Sequence, residues 1–161
     1  MADTKMRVRK ATSLLREDHR KVKMLFREYE KYEEDEDETG MMETYEKVKE
    51  ELTVHAQIEE EIFYPAIHDA DDDEAIHLVA EAHEEHRLVK QLLEEIGELS
   101  PSEEEFCAKM KVLKEGVLHH AKEEEQDLFP IFDELDREVR DEITEQLYAR
   151  KKELSPGADE D

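Results

Sequence analysis

Four histidines and two glutamates recur in twofold order along this chain, at spacings suited to holding metal ions. The segment Asp18-His19-Arg20 returns as Glu85-His86-Arg87. Thirty-six residues after His19 stands His55, followed by Glu59 at four residues and Pro65 at ten. Thirty-four residues after His86 stands His120, followed by Glu124 and Pro130 at the same two offsets. Four residues is about one helical turn, so each His-x-x-x-Glu pair projects from one face of a helix. Imidazole and carboxylate are donors that transition-metal ions accept. Four imidazoles and two carboxylates exceed what one tetrahedral ion uses, so the inventory is that of two ions.

Helices are the elements that must position them. Gly and Pro contribute four residues each, and Glu and Lys dominate the polar positions, which favours helix over sheet. Thr12 or Ser13 is placed to cap a first helix running to about Glu34. A second is expected from about Met41 to Asp69, and a third opens at Asp71-Asp72-Asp73-Glu74 and ends near Leu99. Ser102 should cap a fourth helix, with Glu103–Glu105 in its first turn, reaching about Glu134. A shorter fifth spans roughly Arg137 to Leu154, before a tail, Ser155–Asp161, expected to be disordered. The short connections make neighbours antiparallel. The expectation is an all-α fold: an up-down-up-down four-helix bundle with a short C-terminal fifth helix. It forms a single domain over residues 1–161 with its core at about 12–134. Pro65 and Pro130 should kink or end their helices just past the candidate ligands.

The apolar stripes tell which histidines face inward. They run Leu15, His19, Val22, Phe26, Tyr29 in the first helix and Val48, Leu52, His55, Glu59, Ile62 in the second. In the third they run Val79, Ala82, His86, Val89, Leu93, Ile96, and in the fourth Phe106, Met110, Leu113, Val117, His120, Glu124. Every core seam carries one histidine, and two also carry a glutamate. An unpaired buried carboxylate costs several kcal/mol or gives up its charge, and a bound metal ion offsets that cost. Counted from the connecting loops, His19, His55 and His86 fall at similar heights. His120 is offset from His86 by about 7 Å at 1.5 Å per residue. A single histidine on such a stripe is ordinarily a hydrogen-bonded core residue; four at matched positions, two with glutamates, are a site.

The remaining candidates divide by phase. His119 turns about 100° from His120 and should face a flank. His83 stands one turn before His86 and is a possible additional ligand. His68 and His77 flank a loop and should be exposed. Glu60, Glu61, Glu123 and Glu125 belong mostly to a solvated face, with one as an alternative ligand. Cys107 is core filler rather than ligand. Tyr64 and Phe129, equivalent in the repeat, are placed to wall the site.

A formal charge of −25 argues against nucleic acid and anionic membrane surfaces as partners. The basic cluster Lys5–Lys10 is too small to outweigh it. The single cysteine excludes an internal disulfide and fits a reducing cytosol. No apolar run approaches spanning length and no signal-peptide core stands at the N-terminus, so a cytoplasmic protein is expected.

On these motifs the chain resembles the hemerythrin-like family, in its bacterial cation-binding (HHE) branch, over about residues 12 to 134. The motifs are Asp18-His19-Arg20, His55-x-x-x-Glu59 with Phe63-Tyr64-Pro65, Glu85-His86-Arg87, and His120-x-x-x-Glu124 with Phe129-Pro130. The resemblance implies two iron ions, oxo- or hydroxo-bridged, with Glu59 and Glu124 bridging them. It assigns His19 and His55 to one ion, and His86 and His120 to the other. Oxygen carriers of the family have a further histidine four residues before the third-helix ligand, where this chain has Ala82. They also have an aspartate five residues after the last histidine, where this chain has Glu125. Those departures point away from reversible oxygen carriage. Three functions follow: a di-iron protein that senses or scavenges O2, NO or peroxide, a di-iron peroxidase or catalase-like enzyme, and a structural or interaction module stapled by metal. The small diatomic ligand or peroxide is then the partner expected.

Overall fold

In the computed structural model, residues 10–70 and 72–157 are described, and among them there is no strand. The helices are α1 (Ala11–Glu34), α2 (Glu38–Ile58), α3 (Tyr64–His68), α4 (Asp73–Gly97), α5 (Glu104–Glu123), α6 (Phe129–Asp133) and α7 (Arg137–Leu154). Two π-helical turns, π1 (Glu59–Phe63) and π2 (Glu124–Leu128), join α2 to α3 and α5 to α6. The fold is therefore all-α. The second and fourth expected helices are not uniform α-helices; each is broken by a π turn that begins at its candidate glutamate.

The prolines explain where the π turns fall. Pro lacks an N–H, and its ring collides with the carbonyl four residues back in a regular α-helix. In both copies the wider turn precedes the proline, with Tyr64 N–H donating to the Glu59 carbonyl and Phe129 N–H to that of Glu124. The chain neither ends nor breaks at Pro65 and Pro130 but continues for another short helix. The extra residue also shifts the phase. Ile62, expected in the seam, is only half-buried, while Phe63 and Tyr64 are fully buried.

The ends differ from expectation in their capping. Neither Thr12 nor Ser13 caps the first helix. It starts at Ala11, whose N–H donates to the Thr144 hydroxyl of α7 at 3.1 Å. The second begins at Glu38 rather than Met41, with Asp37 accepting from Gly40 N–H. Gly40 lies inside that helix because α1 passes so close that an added methyl would overlap the Tyr32 ring. At the fourth helix Glu103, not Ser102, is the cap position, and its carboxylate accepts from Ser100 N–H at 2.7 Å. Asp72 caps α4 as its acidic run suggests, while Asp71 lies outside the described residues. The expected disordered tail is described only through a turn ending at Gly157; residues 158–161, like 1–9 with most of the Lys5–Lys10 cluster, lie outside.

α1 packs along α2, α4 along α5, and α7 lies against α1, α2 and π1. Two apolar clusters result. One gathers Leu15, Ile58, Phe63, Phe132 and Leu147 around the π turns and α7. The other gathers Phe26, Tyr45, Val48, Phe106 and Leu113 toward the α1–α2 and α4–α5 connections. The polar seam residues lie in the band between the two.

Candidate metal centre

The six residues singled out by the repeat converge. His19, His55, Glu59 and Glu124 form one group and Glu59, His86 and His120 a second; within each, the nearest ligand-type atoms lie within 4.8 Å of one another. Glu59 belongs to both, and Glu124 reaches across as well. His19 Nε2 is 3.0 Å from Glu124 Oε1, and His55 Nε2 is 3.1 Å from Glu59 Oε2. On the other side His86 Nε2 is 3.1 Å from Glu59 Oε1, and His120 Nε2 is 3.6 Å from Glu124 Oε2. Each glutamate thus turns one oxygen toward each half. The height offset of His120 does not separate it from His86, their ring centroids being 4.9 Å apart. The six residues between Gly97 and Glu104 have the length to climb that offset.

All four imidazoles are oriented the same way, Nε2 inward and Nδ1 outward to a carboxylate. His55 Nδ1 is 2.8 Å from Asp18 Oδ2, and His120 Nδ1 meets Glu85. His86 Nδ1 is 2.7 Å from Glu60 Oε2, and His19 Nδ1 is 2.7 Å from Glu125 Oε2. An ionised carboxylate only accepts, so Nδ1 carries the proton in every case. Neighbours hold the Asp18 and Glu85 carboxyls below the usual range: against the opposing effect of burial at Asp18, the His55 hydrogen bond prevails, and at Glu85 the His120 hydrogen bond leads. The outer carboxylates obey the same twofold repeat, Asp18 pairing with Glu85 and Glu60 with Glu125. Outer carboxylates of this kind orient metal-binding histidines and raise their basicity.

This arrangement fits a cation. With Nδ1 protonated, a neutral imidazole has only a lone pair at Nε2. His55 Nε2 faces Glu59 Oε2, both are buried, and neither has a hydrogen-bond partner. Two buried acceptors facing each other call for a proton or a metal ion between them. In the metal-free protein protons take that place. Burial alone would lower the His55 and His120 pKa values, but Glu59 and Glu124 outweigh it, raising His55 well above its ordinary value and His120 to about 10. The same imidazoles hold Glu124 well below the ordinary carboxyl value despite its burial.

The model of the hemerythrin HHE cation binding domain matches residues 10–132. The chain belongs to the hemerythrin HHE family. A hemerythrin HHE cation binding domain-containing protein from Mycobacterium kansasii has a similar structure, with 27% identity and a TM-score of 0.77. The match covers 93% of this chain and 90% of that one. A curated relative from Nostoc sp. (strain PCC 7120 / SAG 25.82 / UTEX 2576), a DNA nickase, is 31% identical over 144 residues. That match covers 88% of this chain but only 39% of the relative's length.

Within this HHE domain the repeat-equivalent aromatics take different parts. Phe129 stacks on His19 at 6.0 Å between centroids and 6° between planes. Tyr64 does more than wall the site. Its hydroxyl lies 2.6 Å from Glu124 Oε2 and 3.0 Å from Glu59 Oε1, and 3.2 and 3.3 Å from Nε2 of His86 and His120. Burial and the two carboxylates push the phenol well above its ordinary pKa, so it serves as a donor. His83 is not gathered into either group. It is exposed, with its ring edge-on to Tyr64 at 5.4 Å, because three residues of α-helix leave it about 60° from the direction of His86. His119 is exposed and pairs with Glu123, and His68 and His77 are exposed too. Cys107 packs at the edge of the second apolar cluster. Sequence reasoning placed Glu60 and Glu125 mostly on a solvated face, with one as an alternative ligand, and gave Asp18 and Glu85 no role of their own. Yet their positions in the repeat were a signal that could have found them.

Proposed function

We propose that this HHE domain is a non-haem di-iron protein. In this reading His19 and His55 hold one ion, His86 and His120 the other, and Glu59 and Glu124 bridge them. The four ligand-bearing helical runs follow one another up, down, up and down, as their short connections favour. The observation that carries the reading is the common orientation of the imidazoles: four Nε2 atoms turned onto two shared carboxylates, each Nδ1 anchored to an outer carboxylate. Two bound irons would supply redox-active, ligand-accepting positions for O2, NO or peroxide. The protein's own part is to hold the imidazoles in one tautomer, to set their basicity through Asp18, Glu60, Glu85 and Glu125, and to keep Tyr64 protonated beside the bridging carboxylates. We read the role as sensing or scavenging such small ligands in a cytoplasmic setting. DNA nicking is not carried over from the longer relative, since a formal charge of −25 opposes phosphate binding.

Metal analysis with an optical spectrum tests the proposal. Protein from iron-replete cells should carry close to two irons per chain and show near-ultraviolet charge-transfer bands. One zinc per chain without such bands would overturn it.

A further inference from the structure

A cavity of about 500 Å³ is lined in part by His19, His55, His86 and His120, together with the outer carboxylates Asp18 and Glu60. It is far larger than a diatomic molecule or peroxide needs. A cavity of about 150 Å³ takes a six-carbon ring, so one of this volume has room for up to about twenty carbons and takes an eight-carbon chain easily. Its walls are aliphatic: Val22, Leu52, Val89, Leu93, Val117 and Leu118, with no aromatic ring other than the imidazoles. Such walls suit a flexible chain rather than a flat ring that would stack. The exposed residues on its border come from α2 and π1 on one side and α4 on the other, so the mouth lies between those helices.

The charges at the mouth favour an anion, in a protein whose total charge is strongly negative. Of the carboxylates lining the cavity, Asp18 is held by His55 and Lys151, Glu60 by His86, and Glu61 by Arg150 and Gln57. Lys49 and Lys90, on facing helices, are exposed and pair with no carboxylate among the described residues; Glu94 is the one lining acid without a partner there. The cationic groups at the mouth without a carboxylate partner are therefore Lys49 and Lys90, free to meet an anion.

We propose that this cavity binds a medium-chain aliphatic carboxylate, its chain among the aliphatic walls and its head at Lys49 and Lys90. The proposal rests on the di-iron reading only for what lies at the cavity floor. It makes the centre's ligand or effector an organic molecule lying beside the small ligand.

Calorimetric titration of the full chain, as purified with its metal, tests this with acetate, hexanoate, octanoate and 1-octanol. Octanoate should bind saturably at one site, about threefold to fourfold tighter per methylene than hexanoate, and acetate should not bind. Lys49→Gln with Lys90→Gln should weaken octanoate about threefold to tenfold and leave 1-octanol unchanged. Leu93→Phe, which narrows the cavity without touching the lysines, should weaken octanoate and 1-octanol by the same factor. The lysine variants alter only exposed side chains, so the test survives if Leu93→Phe fails to fold. Absence of octanoate binding, equal binding of acetate and octanoate, or wild-type affinity in the lysine variant would overturn the proposal. Iron content measured on the same samples separates the two readings. Bound octanoate without iron sinks only the di-iron assignment, and two irons without octanoate binding sink only this one.

Discussion

In the half of the centre built by His19 and His55, Phe129 lies against an imidazole. In the half built by His86 and His120, the repeat-equivalent Tyr64 puts a hydroxyl among the ligand atoms. The ligand sets of the halves are otherwise matched: one histidine from each of two helices, a glutamate oxygen for each, and an outer carboxylate on every Nδ1. Among the groups that face the Nε2 atoms, one oxygen atom makes the halves unequal. In the first half His55 Nε2 and Glu59 Oε2 have no hydrogen-bond partner, whereas in the second the phenol donates toward Glu124 and Glu59. A tandem repeat thus supplies a twofold set of ligand-type side chains, and a single side chain gives the two proposed metal positions different surroundings.

The largest effect should come from the residue both halves share. Glu59→Ala removes an oxygen from each group, so iron should fall from two per chain to well below one by metal analysis. Loss of a single ion would show that Glu59 serves one half alone. Next come the halves taken separately. His55→Ala should keep the ion beside His86 and His120, and His86→Ala the ion beside His19 and His55, each leaving about one per chain; His119→Ala should keep both. If either single-histidine variant loses both ions, the halves are not separable.

Smaller changes are expected from the outer carboxylates. Asp18→Asn and Glu85→Gln should each weaken metal binding about tenfold to a hundredfold in competition with a chelator. They occupy equivalent positions, but Asp18 also accepts from Lys151 at 2.6 Å, so only Asp18→Asn should loosen α7. Hydrogen exchange along α7 would register the difference, and equal exchange in both variants would refute it.

The smallest effects concern the metal-free protein. Tyr64→Phe, which makes the second half resemble the first, leaves Glu124 and Glu59 without their donor and should lower its melting temperature by about 3–10 °C. The imidazoles add a pH dependence. A raised imidazole stabilises the fold fully below its unfolded value of about 6.5 and loses that contribution as pH rises through the folded value. For His120 that window ends near about 10, and His55 shifts in the same direction. Asp18 and Glu124 are lowered, so their contribution is already complete above the ordinary carboxyl range and does not change within this window. Metal-free protein should therefore melt lower at about pH 9 than at about pH 6. The gain on metal loading should grow over the same interval, because ligation needs the deprotonated imidazole. A metal-free melt that rises with pH would contradict the assignment.

The inward-facing histidines and both glutamates were legible because their stripes keep a 3.6-residue period as far as Glu59 and Glu124. Beyond those points the period fails. A π turn inserts one residue without any change in composition, so Ile62 was expected where Phe63 and Tyr64 are buried. Tyr64 was recognisable as a wall, but only the shifted phase brings its hydroxyl among the ligands. The outer carboxylates were hidden by abundance. Among 48 acidic residues, four that touch imidazoles look like the rest of a solvated surface, and the repeat alone marks them. The cap of the first helix was missed for a different reason. Ala11 is capped by Thr144, more than a hundred residues away, and no local motif announces such a contact.

The central claim is that the repeat builds two metal positions and that Tyr64 makes them unequal. Mössbauer spectroscopy of protein loaded with iron-57 tests both parts at once. The account predicts two iron atoms per chain and two quadrupole doublets of equal area, one of which shifts in Tyr64→Phe. A single iron per chain, or one doublet that Tyr64→Phe leaves unchanged, would contradict it.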